Sequence, residues 1–168
     1  MTAVNTEHDT TIAARLAALE SRVTELADGQ ALRALLSQYA IGVDDKRPAL
    51  LRSLFTHDAR VQIPAWQVDV VGLEEIMAFY ERYWARFDQP RRYYANDDTR
   101  IRGDRAHTFM YWHVTQEERG VPVIGWGTYD WNFLRVDGRW LIDSVLISIR
   151  AMTTLEAGWG GAARFTDA

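Results

Sequence analysis

Hydrophobic residues return at helical spacing through the first half of this chain and at every second position through much of the rest. After a polar start over residues 1–11, expected to be mobile, Ile12, Leu16, Leu19, Val23 and Leu26 recur in alternating steps of four and three. That spacing predicts a helix with one apolar seam. Two heptads fall short of a self-sufficient coiled coil, so the seam packs either on its own domain or on a second subunit. Asp28-Gly29 is expected to interrupt this helix. The next helix carries Leu32, Leu35, Leu36, Tyr39 and Val43 on one face and ends near Asp44-Asp45. Pro48 suits the first turn of a short third helix, with Leu50, Leu51, Leu54 and Phe55 as its buried face. Val61 and Ile63, then Val68 to Val71, read as a small hairpin around Pro64. Ile76, Phe79, Tyr80, Tyr83 and Trp84 form the stripe of a helix over Leu73 to Phe87, which Pro90 keeps from continuing.

From Arg91 onward the period is two. Four strands are predicted, Arg91–Arg102, Ala106–Glu117, Val121–Val136 and Trp140–Ile149. Turns fall at Gly103-Asp104, Glu118 to Gly120 and Asp137-Gly138. Strands of this length on tight turns make a curved meander, and Gly125 and Gly127 inside the third fit a bend or bulge. The expected class is α+β, a cone-shaped curved antiparallel β-sheet packed against N-terminal helices, with a pocket between the layers. Residues 12–150 form the single domain, and 151–168 a C-terminal tail that covers the pocket or an interface, flexible except at Trp159 and Phe165.

Composition narrows the chemistry. The 168 residues contain no cysteine, which removes disulfides, thiol nucleophiles and thiolate metal sites. Formal net charge is −4, giving no electrostatic attraction for nucleic acid or anionic lipid. No apolar run has membrane-spanning length and the polar start is no signal peptide, so a cytoplasmic protein is expected. Metal binding is not expected, because no His/Asp/Glu set converges at helix or strand spacing. No phosphate loop is present, and no cofactor is implied. The excess is aromatic: seven Trp, seven Tyr and six Phe, most of them between Phe79 and Trp140. Such a density of rings signals a thick core or a ring-lined pocket for a small molecule.

The element order, with Tyr39-Ala40-Ile41-Gly42-Val43-Asp44, His57-Asp58-Ala59, Asn96 through Ala106, and Tyr129 with Arg135-Val136-Asp137-Gly138-Arg139-Trp140, resembles the SnoaL-like branch of the nuclear transport factor 2-like superfamily. That branch includes scytalone dehydratase, bile acid 7α-dehydratase and hexachlorocyclohexane dehydrochlorinase, and the resemblance covers roughly residues 12–150. It implies a cofactor-independent lyase acting on a small hydroxylated aromatic or polycyclic compound, by dehydration, related elimination or carbon–carbon cleavage. The fold also hosts isomerases and plain binders, so an isomerase or a non-catalytic binding or assembly module is the alternative. In the resembling enzymes a histidine about four residues before the position of Asn96 pairs with the carboxylate matching Asp44 and acts as base. Here that stretch reads Arg91-Arg92-Tyr93-Tyr94-Ala95-Asn96, without histidine.

Alternation puts Arg92, Tyr94 and Asn96 on one face and Arg91, Tyr93 and Ala95 on the other. The resemblance turns the Arg92 set inward, where Asp44 or a substrate anion is the natural partner of a buried arginine. The expected catalytic set is Asp44, which orients a base or acts as one, Tyr39, which donates to a substrate oxygen, and Arg92 or Tyr94 in place of the missing histidine; an Arg92–Asp44 pair would hold Tyr39 or Tyr94 as phenolate base. The resemblance implies substrate-binding positions at Asn96, Trp112, Val114, Tyr129, Ile147 and Ile149, with Trp131 sharing the face of Tyr129. Met110 and Gln116 share the inward parity of Trp112, while His107 and His113 fall on the opposite face with Phe109 and Tyr111. Homo-oligomerisation, as dimer or trimer, is expected through the convex sheet face, whose outward residues include Tyr111 and His113, with the Ile12–Leu26 helix adding contacts.

Overall fold

A computed structural model describes the backbone of residues 3–154 and 156–157, with side chains from residue 11 onward. Trp159 and Phe165, and most of the expected tail, lie outside the described residues. One helix, α1, runs from Ala3 to Asp44 without a break. Asp28-Gly29 does not interrupt it. Asp28 turns toward the domain, where Arg135 donates to it at 2.8 and 2.6 Å and Trp140 Nε1 at 3.0 Å. What changes at this point is the face that carries the apolar residues. Leu32, Leu35, Leu36, Tyr39 and Val43 are buried, whereas Ile12, Leu16, Leu19, Val23 and Leu26 are exposed. At about 100° per residue the two stripes lie on opposite sides of one rod.

After α2 (Pro48–Arg52), with Leu51 fully buried, the strands β1 (Phe55–Ile63) and β2 (Val68–Val71) form an antiparallel pair across a short turn of 3₁₀ helix. Helix α3 (Leu73–Arg86) buries Ile76, Met77, Phe79, Tyr80 and Tyr83. Strands β3 (Phe87–Arg102), β4 (Arg105–Glu118), β5 (Val121–Val136) and β6 (Arg139–Thr154) follow as a meander. The sheet has six strands in the order β2-β1-β6-β5-β4-β3. It is mixed rather than antiparallel throughout, because β1 lies parallel to β6. Periodicity reports which face a strand buries and is silent about its neighbour, so this pairing escaped the sequence. Pro90 sits inside β3 at the sheet edge, where a missing N–H does not disturb the ladder. Residues 151–154, expected in the tail, extend β6.

Two irregularities in β3 shape the site. Between Asp88 and Arg91, and again between Ala95 and Asp98, β3 carries one more residue than β4. Gln89 and Asn96 take left-handed backbone angles there, φ 46° and 57°. Each bulge resets the alternation, so only the stretch between them keeps the inward parity of Arg92 and Tyr94. On β5, Gly127 has a different reason to be glycine. A Cβ there would overlap the carbonyl oxygen of Ser148 and stand 2.8 Å from the Trp112 ring. The backbone at that point serves as the floor on which an indole lies.

Candidate functional site

Between α1, α3 and the concave face of the sheet lies a cavity walled by Tyr39, Tyr80, Tyr83, Arg92, Gln116 and Tyr129, with Trp66, Trp112, Val114, Ile147, Ile149 and Met152 closing its apolar side. Its unfilled space is about 470 Å³ with the mouth included.

Arg92 is the charged centre of this wall. Its side chain is 6% exposed and that of Asp44 is 9%. Arg92 Nε donates to Asp44 Oδ1 at 2.6 Å, and the Arg92 backbone N–H donates to Oδ2 at 2.8 Å. Both carboxylate oxygens are thus engaged, and Asp44 lies behind the guanidinium. The two terminal nitrogens point away from it, Nη1 toward Tyr129 Oη and Nη2 toward Tyr83 Oη, each at 3.4 Å. Helix α1 delivers Tyr39 and Asp44 to this point, and β3 delivers Arg92 between its two bulges.

Arginine can only donate, and this sets the direction of the hydrogen bonds that follow. Tyr83 accepts from Arg92 and so turns its own proton to Gln116 Oε1, 2.8 Å away. Gln116 is left with its amide N–H₂ outward, and Nε2 has no partner among the described residues. Trp112 Nε1, on the same wall, is likewise buried and unpartnered. Each such group costs about 1–3 kcal/mol unless an acceptor reaches it.

Burial pushes the phenol of Tyr83 up to about 12 against the opposing pull of Arg92. Burial also raises Tyr39 well above the usual phenol range, with Tyr80 and Tyr129 adding to it. Tyr80, Tyr94 and Tyr129 shift upward for the same leading reason. These rings are neutral hydrogen-bond donors near pH 7 and not phenolate bases. Tyr39 and Tyr80 share a short hydroxyl contact of 2.6 Å.

The structure brings Tyr39, Arg92, Trp112, Val114, Tyr129, Ile147 and Ile149 to one cavity, with Asp44 one layer behind. Three expected residues lie elsewhere. Asn96 is exposed at the second β3 bulge, where its left-handed conformation takes it off the inward face. Trp131 is fully buried and backs Tyr39 and Tyr129 at ring distances of 4.9 and 4.8 Å, so it supports the wall without forming it. Tyr94 packs edge-on against Tyr129 and lines a separate crevice with Arg33, Leu36 and Met110, its hydroxyl unpartnered. Tyr80, Tyr83 and Gln116 were missed as site residues. Gln116 shares the inward parity of Trp112, which is a usable signal; nothing in the sequence joins it to Tyr83 on α3. His107 lies on the outer face against Asp130. Among the described residues no group of three His, Asp or Glu could hold a metal ion, and no helix is long and apolar enough to cross a membrane.

A mixed, curved, open sheet covered by helices around a ring-lined cavity is a cone fold. Residues 24–145 match the SnoaL-like domain family, and the chain belongs to it. Solved structures with the same fold include the hexachlorocyclohexane dehydrochlorinase LinA-type3 from Novosphingobium barchaimii, at 20% identity and TM-score 0.75 over 85% of this chain and 99% of that one. A candidate scytalone dehydratase from Novosphingobium aromaticivorans is 18% identical with TM-score 0.73, over 88% and 99%. A candidate aromatic ring hydroxylase from the same species is 21% identical with TM-score 0.71, over 77% and 94%. No curated protein sequence matches the chain. At these identities the likeness speaks for the fold alone, and the family hosts several chemistries.

Proposed function

We propose that the protein is a cofactor-independent lyase that expels water or a small aldehyde from a hydroxylated aromatic compound. The observation that carries this reading is Arg92, a buried cation fixed by Asp44 and aimed with two tyrosines into a ring-lined cavity. Arg92 occupies the place where the resembling enzymes hold their histidine base, but it cannot accept a proton. The site therefore works by stabilising negative charge. A substrate hydroxyl seated against Arg92 and Tyr129 becomes more acidic, since preformed donors in a dry site favour the developing anion. Electrons from that oxygen move through the aromatic ring and break the benzylic C–O bond; the phenol proton reaches the departing hydroxyl, so a quinone methide and water form with no net change in protons. Where the neighbouring carbon bears a hydroxymethyl group, the quinone methide then takes up the electrons of that C–C bond, the hydroxymethyl leaves as an aldehyde and its proton restores the phenol. In this reading Tyr39, paired with Tyr80, protonates the departing hydroxyl and regains its proton from the substrate phenol through Tyr129, to which it is hydrogen-bonded. Asp44 is a positioning residue, holding Arg92 in line. Gln116 Nε2 and Trp112 Nε1 suit a second acceptor oxygen on the substrate, such as a carbonyl, ether or methoxy group.

A binding module remains the competing reading, favoured by one observation: among the described residues the cavity wall carries no unpaired carboxylate or imidazole. Turnover of a panel of hydroxybenzylic alcohols and aryl-substituted propanediols, read by mass spectrometry, decides between them. Arg92→Met is expected to lower kcat about 100- to 1000-fold, the usual cost of removing a charge-stabilising donor. Tyr39→Phe lowers kcat with little change in KM. Ligand-induced protection against heat, with no product from any panel member and no response to either variant, would leave the binding reading standing. The exposed outer face of the sheet, with Tyr93 and Tyr111, supports a homo-oligomeric contact.

A further inference from the structure

We propose that the N-terminal arm of α1 pairs with the same segment of a second copy of this chain as a parallel two-stranded coiled coil. The structure removes one of the two partners open to the seam. Ile12, Leu16, Leu19, Val23 and Leu26 are 53–74% exposed, so their own domain does not cover them. The domain approaches the opposite face of the arm, where Ser21, Thr24, Glu25 and Asp28 overhang Ile101, Asp104 and Arg135. The polar face is turned inward and the apolar face outward, the reverse of what a helix packed on its own core shows.

Spacing of four and three makes Leu16 and Val23 a positions, and Ile12, Leu19 and Leu26 d positions. Val23 at a between Leu19 and Leu26 at d favours two strands, whereas Leu16 at a beside Ile12 at d does not, so the layer nearest the domain carries the preference. Charge selects the orientation. The g positions are Arg15 and Arg22, and the only charged e position is Glu20. In a parallel pair each g residue meets the e residue five places on in the other chain, so Arg15 faces Glu20 twice. An antiparallel pair sets g against g and e against e, which places arginine on arginine and glutamate on glutamate. Geometry agrees with pairing, because the exposed seam lies on the side of the helix away from its own domain. The usual objection to a short coil, the cost of helix nucleation, is weak here. The arm continues a helix already held by Asp28, Leu32 and Leu36.

The natural absence of cysteine makes the test direct. Sedimentation of the full chain is compared with Leu19→Asp, a position outside the core. The proposal expects Leu19→Asp to sediment with one partner fewer than the wild type, its dissociation constant rising at least 100-fold. Arg15→Glu alone weakens association, and Arg15→Glu combined with Glu20→Arg restores it. In a parallel coil two Leu26 positions share one layer, so Leu26→Cys chains link into a dimer under mild oxidation. Equal sedimentation of wild type and Leu19→Asp overturns the proposal, as does a Leu26→Cys chain that stays unlinked. Circular dichroism on each variant separates loss of pairing from loss of fold.

Discussion

A single bond network decides how the wall of the cavity is wired. Asp44 holds Arg92 by two hydrogen bonds, and Arg92 sets the proton direction through Tyr83 to Gln116. Removing one member of a buried ion pair strands the other, at about 3–5 kcal/mol. Asp44→Asn is thus expected to lower the unfolding free energy by roughly that amount in denaturant titration, whereas Arg92→Met together with Asp44→Leu loses much less. Gly127→Ala forces a methyl into the Ser148 carbonyl and the Trp112 indole. It should destabilise by about 1–3 kcal/mol or more, with a change in Trp fluorescence as the indole is displaced. At this scale the sequence was informative where alternation held and blind where it slipped. Arg92 and Trp112 follow the period of two, as do Val114 and Tyr129. Asn96 does not, because one extra residue at the β3 bulge breaks the count and leaves no mark except an asparagine tolerant of left-handed angles.

Among the elements, α1 carries the clearest lesson. Asp-Gly usually marks a helix end, and here it marks a change of apolar face within an unbroken helix. Periodicity registers each stripe separately. The continuity came from a tertiary contact, the Asp28 carboxylate held by Arg135 and Trp140 more than a hundred residues away. Asp28→Ala leaves the guanidinium and the indole N–H without their acceptor. A loss of about 2–3 kcal/mol is expected, read as a lower Tm together with faster hydrogen exchange over the middle of α1. The same contact gives the element a pH response. The hydrogen bond from Arg135 holds the Asp28 carboxyl below its ordinary 3.8, partly offset by burial, with Trp140 helping to lower it. A lowered folded pKa contributes stability that is fully present above 3.8 and lost as pH falls through the lower folded value. Acid titration of the wild type should therefore loosen α1 below about pH 4, and Asp28→Asn should flatten that limb of the curve.

For the molecule as a whole, fold class and strand count in the meander were legible because long amphipathic elements announce themselves. The parallel β1–β6 pairing was not, since no local pattern names a strand's neighbour. The cavity was legible as an aromatic excess. Calorimetry of any bound aromatic ligand should show a negative heat-capacity change. The unbroken helix has one more consequence. A rod that bears a seam at one end and Tyr39 and Asp44 at the other is a lever with its fulcrum at Asp28. A tilt of about 5° there swings the far tip by roughly 3 Å and shifts the Asp44 end by roughly 2 Å, from a rise of 1.5 Å per residue. A grip on the tip and the fit of a molecule in the cone are therefore the two ends of one mechanical part.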